Sequence, residues 1–547
     1  MYQLLDLINN LETELQKIDN TESISLRISN NQKFDFQINN LVKFQNHNKK
    51  TKIKDSLYKI LDSEPLIKNF EITDTYFINL EIDIEKFTHN FDKIKNNIKV
   101  HNPQTVLLDF GGPNIGKPLH VGHLRSLNIG RSLYHIYKLA GHDVLSDIHM
   151  GDWGMPIAQI ISYIDEKKID IDDINIDNLE KIYPEASKLY DKDDKFKEIA
   201  QANNKKMNEN DSKILKKWKK LKKISIESIK ETLKTLNHGF DLWMGESDVN
   251  HLIPGMIKKF EDNGKISLDN GAYVSNLISE PKILITKSDG SYLYLTTDLA
   301  TVINRIKQNR IDKTLYIVDK RQNLHFEQLI KSIKYFKISD KEFKHIAFGT
   351  VNDSNGNPYK TREGDAKKLI DLFKETSSQI KKINNDLDDA TNKLLSNTVL
   401  TFSDLKTNRM TDYKFDLDKF TNISGKTGIY VQYALVRAKK LIKISSIDTS
   451  NLNLNISDFD ESDVRLTRGL IKFEYYFNLA LENNEPHHLA DYLYELSNLF
   501  NSMYQSENIL ENKNESVKSN KLKISEYFIS YSTLLMECLG IEPAEKM

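Results

Sequence analysis

The sequence predicts a multidomain α/β protein with a parallel sheet at its centre, and three features of residues 106–148 support this prediction. A short apolar run at 106–108 is typical of a buried strand, and a glycine-rich turn at 111–113 ends it. A helical spacing of apolar residues follows and ends at Gly141, where a left-handed residue is expected. A second apolar run occupies 144–148. Strand, glycine-rich loop, helix and strand in this order form the first unit of a nucleotide-binding α/β sheet.

Length, charge and cysteine content limit the possible classes of protein. The 547 residues exceed what one core can hold, so several domains are expected. The net charge is −1, so a basic surface for nucleic acid must be local. The single cysteine, Cys538, excludes a multi-cysteine structural zinc site. No signal-peptide pattern and no apolar run of roughly 18 residues is present, which predicts a cytoplasmic protein without membrane contact.

The predicted helix after the glycine-rich turn begins with two histidines, His120 and His123. Because they are three residues apart, their imidazoles share one face of the first turn. The free N–H groups and the positive end of the helix dipole point the same way, and Gly122 leaves room for a flat ring. This arrangement suits the oxygens of a phosphate under nucleophilic attack.

The surrounding sequence resembles the HIGH-motif region of class I aminoacyl-tRNA synthetases, in the form found in arginyl-tRNA synthetases. The residues that carry this resemblance are Pro113, Asn114, Ile115, Gly116, Lys117, Pro118, Leu119, His120, Val121, Gly122 and His123. Residues 149–154 resemble the family as well, and the likeness continues to the last residue. It implies a Rossmann-like catalytic domain, and a reaction that joins L-arginine to tRNA(Arg) with ATP and Mg²⁺.

The resemblance also implies roles for the phosphate-binding residues. His120 and His123 would stabilise the charge on the α-phosphate, and Gly122 and His325 would complete the ATP site. Residues 355–364 are similar in position to the KMSKS loop of the family, but Thr361 stands where the second lysine is expected. Lys117, Lys360 and Arg362 would then hold the β- and γ-phosphates. The alternative is a basic loop without a role.

A guanidinium pocket is expected where the sheet strands end. Tyr292–Leu295 and Leu315–Val318 are predicted strands, and ligands in such sheets bind beyond the carboxyl ends of the strands. The candidate arginine-binding residues, which match the family's pocket, are Asp109, Asn114, His120, Tyr294, Asp298 and Gln322. Carboxylates, a phenol and amides suit the planar donors of a guanidinium. Taken singly, an aspartate such as Asp298 at a helix start is more often a cap.

The sequence predicts three regions in all. Residues 1–100 form a small α+β domain that would contact the outer corner of the tRNA, 101–370 form the catalytic domain with an insertion at about 151–275, and 371–547 form an all-α anticodon-binding domain. The candidate tRNA contacts are Phe36, Gln37 and Asn39 in the first domain, and Tyr430, Gln432, Tyr433 and Met547 in the last. Their alternatives are roles in a strand and turn, in helix packing and in a docked tail.

Two stretches of the predicted insertion receive no catalytic role. Lysines crowd residues 205–223, and a solvated helix face is preferred to an RNA-binding patch. Residues 240–247 resemble the family, but they are assigned only to shaping the insertion.

Two other functions remain open at this point. A class I synthetase for lysine would not need a two-carboxylate fork, because lysine presents one point charge. A catalytically inactive tRNA-binding paralogue would not need His120, His123 and Lys117. We therefore expect a monomeric arginyl-tRNA synthetase that carries no metal ligands of its own.

Overall fold

The computed structural model describes residues 4–17, 24–31, 33–39, 41–42, 44, 49–89, 91–353, 356–357 and 366–547. Lys360 and Arg362, predicted to hold phosphates, lie outside the described residues, as does Thr361. Within the described residues, no helix is long and apolar enough to cross a membrane.

The N-terminal part is a small α+β unit built on a four-stranded antiparallel sheet in the order β1-β2-β4-β3. Its elements are α1 (Leu4–Gln16), β1 (Leu26–Ile28), β2 (Phe36–Ile38), α2 (Lys50–Ser63), β3 (Ile67–Ile72), β4 (Ile78–Ile82), α3 (Ile84–Thr88) and α4 (Ile94–Asn97). Alternating apolar residues turn one face of this sheet towards the buried faces of α1 and α2.

The central part is a parallel sheet in the order β10-β9-β5-β6, which confirms the predicted α/β class. Its elements are β5 (Thr105–Phe110), α5 (Leu124–Leu139), β6 (Asp143–Asp147), α11 (Tyr294–Gln308), β9 (Lys313–Ile317), α12 (Asn323–Tyr335), β10 (Glu342–His345) and the short strand β11 (Val351–Asn352). Gly141 adopts φ 95°, the left-handed conformation expected after α5. The sheet register places Asp109 of β5 beside Asp147 of β6 and Tyr316 of β9.

Helices and one hairpin lie between β6 and α11. They are α6 (Met155–Glu166), α7 (Ile176–Lys192), α8 (Asp194–Asn208), α9 (Ser212–Thr235), α10 (Ile253–Asp262), β7 (Ile266–Asp269) and β8 (Ala272–Ser275). The strand predicted at Tyr292–Leu295 is wrong, because α11 already begins at Tyr294. Leu295, Leu299 and Val302 are buried at helical spacing, and a short apolar run alone cannot distinguish a strand from a helix.

The C-terminal part is almost entirely helical, as predicted. Its elements are α13 (Leu369–Ile383), α14 (Asp389–Leu405), β12 (Tyr413–Lys414), α15 (Leu417–Phe420), α16 (Gly428–Ser445), α17 (Glu461–Ile471), α18 (Phe473–Asn483), α19 (His487–Ser506) and α20 (Glu515–Leu539). The strand β12 pairs with β11 of the central part. The domain boundaries predicted from the sequence stay predictions.

The three parts share one continuous apolar core. The α5 helix packs against α14, α18 and α20, so the helix that opens at the paired histidines is held by the helical part. On the other side, Arg468 of α17 forms ion pairs with Asp35 and Glu81 of the N-terminal part. The N-terminal part therefore docks on the helical part.

Candidate active site

The paired histidines at the start of α5 cap each other. The His120 side chain accepts a hydrogen bond at Nδ1 from the Gly122 N–H at 3.1 Å, and His123 Nδ1 accepts one from the His120 N–H at 3.1 Å. A neutral imidazole that accepts at Nδ1 carries its proton on Nε2. The two rings lie 4.0 Å apart, and a side chain on Gly122 would collide with the His120 ring. The His120 ring thus keeps an Nε2–H donor for a ligand. His123 Nδ1 also lies 3.2 Å from the His120 carbonyl, and the His123 ring offers the same donor in the tautomer that accepts from the His120 N–H.

Burial keeps these two imidazoles neutral. Burial and the neighbouring His120 ring lower the pKa of His123 to about 3, and burial and Lys117 lower the pKa of His120. An uncharged imidazole donates without binding a second proton, so the two donors persist at neutral pH.

Three chain segments continue the sheet beyond the ends of its strands. Asn114 bridges Gly151, and Met150 bridges Gly245, so these segments lie side by side. The approach is close: a Cβ on Gly151 would fall 2.0 Å from the Asn114 side-chain oxygen, and one on Gly245 would fall 2.6 Å from the Asp152 carboxylate. Glycine is required at both positions because no side chain fits there. The predicted pocket residue Asn114 is exposed on this surface.

Two tyrosine side chains lie between Lys117, which is beside the paired histidines, and Glu246. The Lys117 ammonium lies 3.7 Å from the centre of the Tyr183 ring on α7. Tyr183 and Glu246 both raise the pKa of Tyr294, after the larger effect of partial burial, so all three lie close together. Tyr294, at the start of α11, is 70% exposed and available to a ligand. Tyr183 was not predicted, because it comes from the insertion.

Glu246 is the principal residue that sequence reasoning missed. Burial, and after it the charges of Asp152 and Asp298, raise the pKa of Glu246 to about 8. Its backbone N–H donates to the carbonyl of Met150 at 3.1 Å, which holds it beside the extended sheet. Because burial and neighbouring negative charges disfavour the ionised form of this carboxyl group, a cationic ligand beside it would be favourable. The only sequence signal was the family resemblance of residues 240–247, which had been given a shaping role alone.

The predicted role of Asp109 needs correction. Its carboxylate pairs at 2.7 Å with Arg305 of α11, which also reaches Asp147 at 2.5 Å. Arg305 and Asp147 are buried, and Asp109 is nearly so. Burial raises the pKa of Asp109, and Arg305 opposes this effect. The carboxylate already serves a guanidinium of the protein, so we do not assign it to the substrate.

The other predicted pocket residues lie at the same edge of the sheet. The Asp298 carboxylate is 2.6 Å from His325 Nε2, so α11 and the first turn of α12 meet there. Both side chains are about one quarter exposed, at 28% and 26%. Gln322 is exposed in the turn just before α12, beyond the end of β9. The charge of Asp298 acts on Glu246, and Glu246 and Tyr183 act on Tyr294. Lys117 contacts the Tyr183 ring and acts on His120, so a continuous set of neighbours joins Asp298 to His120.

Residues 367–369 pair with the backbone just before the histidine-bearing helix. The Val121 N–H donates to the Lys367 carbonyl at 2.9 Å, and the Leu369 N–H donates to the Leu119 carbonyl at 2.9 Å. This backbone pairing holds residues 367–369 beside the start of α5.

Most of the lysine-rich stretch at 205–223 serves the protein itself. The Lys222 ammonium lies 2.5 Å from the buried carboxylate of Asp152. Four other lysines pair with nearby carboxylates: Lys205, Lys217, Lys220 and Lys223. These contacts agree with the preferred prediction of a solvated helix face.

The N-terminal candidates for tRNA contact are largely occupied within the fold. Phe36 is fully buried in β2 and its ring lies 6.0 Å from that of Tyr475, so the prediction that it stacks on a base is wrong. The Gln37 amide donates to the Asn79 side chain at 2.6 Å. The Asn39 side-chain oxygen is buried and has no hydrogen-bond partner among the described residues. Packing against Tyr475 decided the role of Phe36, and a bond to Asn79 of β4 decided that of Gln37; the alternating pattern could show neither contact.

Gln432, predicted to contact tRNA, instead holds the C-terminal tail. It is fully buried, donates to the Glu542 carbonyl at 2.7 Å and accepts from the Ala544 N–H at 2.9 Å. The prediction of an RNA contact is therefore wrong for Gln432. Met547 is partly buried against the core at the end of this tail.

Tyr430 and Tyr433 do line an open groove of about 310 Å³ on α16 and α19. The Arg437 guanidinium lies 4.5 Å from the centre of the Tyr433 ring and donates to Asn501 at 2.6 Å. Tyr433 is 40% exposed, and the Tyr430 hydroxyl donates to Asn498 at 2.7 Å. An exposed ring, a guanidinium plane and side-chain amides together suit an unpaired base. Arg437 and the amides were not predicted as site residues.

One group of described residues has the geometry to hold a metal ion. Glu485, His487 and His488 place their ligand atoms within 4.8 Å of one another. His488 Nε2 already lies 3.1 Å from a Glu485 carboxylate oxygen. The expectation that the protein supplies no metal ligands stays a prediction.

Comparisons with known proteins agree on one family. A profile described as "tRNA synthetases class I (R), catalytic domain" matches residues 88–417, and the "DALR anticodon binding domain" matches residues 431–547. A protein named arginine–tRNA ligase from Francisella tularensis subsp. holarctica is 34% identical over 525 residues, covering 90% of each chain. One from Agathobacter rectalis with the same name is 32% identical over 540 residues, again covering 90% of each chain.

Solved structures give the same result for the fold. The arginyl-tRNA synthetase of Plasmodium falciparum superposes with a TM-score of 0.83 at 25% identity, over the whole of both chains. That of Thermus thermophilus gives 0.81 at 18% identity, covering 99% of this chain and 100% of the other.

The neutral state of the His123 imidazole can be tested directly. Because its pKa is lowered to about 3, its ring should take up no proton between pH 8 and pH 5.5. NMR of the ring ¹³Cε1–H signals, with the His123 signal assigned by its loss in His123→Gln, measures this. A titration midpoint near the ordinary value of about 6.5 would contradict the proposed burial.

Proposed function

The chain belongs to the arginyl-tRNA synthetase family of class I aminoacyl-tRNA synthetases, and from this membership we propose which residues carry the reaction. The protein is an arginine–tRNA ligase, which activates L-arginine with ATP and transfers it to the 3′-terminal ribose of tRNA(Arg). The observation that carries the proposal is one row of neighbouring residues, here called the cleft, with the neutral imidazoles of His120 and His123 at one end and the partly buried carboxyl groups of Glu246 and Asp298 at the other.

In the first step, the carboxylate of arginine attacks the α-phosphorus of ATP. A new P–O bond forms, the bond to the β-phosphate breaks, and pyrophosphate leaves. His120 and His123 donate from Nε2 to the oxygens of the α-phosphate, where negative charge develops. Lys117 lies at the same end and neutralises the phosphates that leave. No side chain needs to act as a nucleophile, so positioning and electrostatics supply the rate.

At the other end, the substrate guanidinium occupies the acidic pocket. Glu246 and Asp298 present carboxylates, and Tyr294 and Asn114 border the space between this pocket and the histidines. A cation between the two carboxylates relieves the repulsion that raises the pKa of Glu246. Two carboxylates match the planar fork of a guanidinium better than the single charge of lysine, which favours arginine as the substrate.

In the second step, a hydroxyl of the terminal ribose attacks the carbonyl of arginyl-adenylate and AMP leaves. The tRNA that supplies this ribose would be held at a distance by the groove around Tyr433 and Arg437. The ring and the guanidinium offer stacking surfaces for an anticodon base, and Asn498 and Asn501 offer hydrogen bonds to its edges.

Several expectations accompany this proposal. Mg²⁺ would enter with ATP, bound by its phosphate oxygens. Lys360 and Arg362 would add two cations beside the same phosphates. A monomeric state and a cytoplasmic location stay predictions, and so does the ATP contact of Gly122 and His325.

The decisive experiment measures adenylate formation for each amino acid in turn, with ATP and tRNA(Arg) present. We expect exchange of pyrophosphate into ATP with arginine and none above background with lysine.

Replacing His123 with Ala should lower kcat by about 10²–10³, the usual cost of one preorganised donor. The exposed His251→Ala is the matched control. Exchange with lysine alone, or a fully active His123→Ala protein, would refute the assignment.

Glu246 makes arginine binding depend on pH. In the free protein its carboxyl group is protonated below about pH 8, whereas the guanidinium prefers the carboxylate. Binding must then release a proton, so the KM for arginine should fall as pH rises from 6.5 to 8, by up to about tenfold per pH unit. Glu246→Gln should raise that KM by roughly 10- to 100-fold and abolish its pH dependence, because a charged hydrogen bond is lost.

The control for this experiment is Glu227→Gln, which removes an exposed carboxylate on α9 that pairs with Lys223. It should leave the KM for arginine and its pH dependence unchanged. A pH-independent KM in the wild-type protein would show that Glu246 is not a ligand.

The groove on α16 predicts a variant that affects tRNA alone. Tyr433→Ala removes an exposed stacking surface, so the KM for tRNA should rise about 5- to 100-fold, the range for one lost base–aromatic stack. The KM values for ATP and arginine should not change at saturating tRNA. Tyr335→Ala is the control, since its ring also lies 4.2 Å from a lysine ammonium but outside the groove. An unchanged KM for tRNA would exclude the groove.

A further inference from the structure

A short segment after α14, residues 408–411, contacts three separate parts of the molecule. One is the sheet edge beyond β10, the second is the first turn of α5, and the third is the junction between α18 and α19. Arg409 lies at the centre of these contacts.

The Arg409 side chain spans two backbone carbonyls on opposite sides of the segment. It donates to the Ala347 carbonyl at 2.6 Å and to the Asn484 carbonyl at 3.2 Å. Its own backbone carbonyl accepts from the Gly349 N–H at 2.8 Å. Gly349 permits this contact because a Cβ would fall 2.3 Å from the Asp412 carboxylate. The guanidinium therefore fixes the segment against the sheet edge and the helical part together.

The same segment receives the side chain of Arg125, which lies two residues after His123. Arg125 donates to the Thr411 carbonyl at 2.6 Å and to the Asn408 carbonyl at 3.0 Å. Its Nε lies 3.2 Å from the buried carboxylate of Asp404, and the side chain is only 1% exposed. The first turn of α5 thus takes its orientation from carbonyls whose positions depend on Arg409.

We propose that Arg409 is a positioning residue for catalysis: it holds the 408–411 segment in the place where Arg125 orients the histidine-bearing turn of α5. The inference rests on the proposed function of His120 and His123. It assigns Arg409 no contact with substrate. Loss of Arg409 would let the 408–411 segment shift, and with it the imidazole donors of His120 and His123. A shift by a fraction of a hydrogen-bond length weakens the stabilisation of the transition state.

Arg409→Ala should lower kcat for pyrophosphate exchange by about 10- to 100-fold while the KM for arginine stays within about twofold, since the acidic pocket is built by other elements. Arg409→Lys keeps the charge but reaches one carbonyl at a time, so it should give an intermediate kcat. Assays are run at saturating ATP and tRNA, below the melting temperature of each variant. If Arg409→Ala does not fold, Arg409→Lys carries the test alone.

The matched control is Arg468→Ala, which removes another arginine that joins two parts of the protein, through ion pairs with Asp35 and Glu81. It should leave kcat at the wild-type value. A kcat loss of equal size in Arg468→Ala would overturn the proposal, because it would indicate a general stability effect. Wild-type kcat in a folded Arg409→Ala protein would also overturn it, because the segment would then not need Arg409 to position the histidines.

A second measurement needs no activity. The low pKa of His123 depends on its burial, so a loosened first turn should shift its NMR titration midpoint upward in Arg409→Ala or Arg409→Lys, but not in Arg468→Ala. An unchanged His123 signal in both Arg409 variants would also overturn the proposal. If the Arg409 variants show this shift but the wild-type protein shows no arginine-dependent exchange, the proposed function is refuted and the positioning role of Arg409 is not.

Discussion

The buried ion pairs of Arg305 with Asp109 and Asp147 are the interaction on which the site depends. Two carboxylates stand on neighbouring strands at the same level of the sheet and would repel each other without a cation between them. Removing one partner from such a cluster commonly costs about 3–5 kcal/mol, because a charge is left buried and unpaired. Arg305 belongs to α11, so the same contacts that neutralise the strand ends also place α11 over the sheet. That placement brings Tyr294 and Asp298, from the first turns of α11, to the cleft.

The cleft separates its two chemical tasks by electrostatics. At the proposed phosphate end, burial and the nearby cation Lys117 lower the pKa values of His120 and His123, so both rings are uncharged at neutral pH, and His120 accepts at Nδ1 and can donate from Nε2. At the acidic end, burial and then the charges of Asp152 and Asp298 raise the pKa of Glu246, which favours a cationic ligand there. Lys222 forms an ion pair with the buried Asp152 carboxylate, which acts on Glu246. One lysine of the lysine-rich stretch 205–223 therefore has a structural role at the acidic end. In the proposed mechanism, neutral N–H donors and Lys117 therefore meet the phosphates, and the two carboxyl groups meet the guanidinium.

The helical part contributes more than a distant binding surface. It surrounds α5 with α14, α18 and α20, and it supplies the carbonyls that Arg125 and Arg409 bind. Its own tail is held by Gln432, so a residue expected to face RNA instead maintains the wall beside the groove of Tyr433. The catalytic turn and the RNA groove are therefore parts of one packed body, which is consistent with the two steps of a ligase that must act on the same tRNA.

Local sequence patterns were sufficient to predict the class of fold and to propose the phosphate-binding end of the site. Strand, glycine-rich turn, paired histidines and helix are contiguous, so their local periodicity and turn chemistry describe them without reference to the rest of the chain. The proposed acidic pocket and the proposed RNA contacts could be assigned only from contacts between distant segments. Asp109 was withdrawn from the substrate by Arg305, almost 200 residues away, and Glu246 gained its role from Asp298 on another helix. Phe36 and Gln432 were buried by segments far along the chain. A carboxylate, an amide or a ring has the same local pattern whether it faces a ligand or a partner within the protein, because only packing determines which of the two it meets.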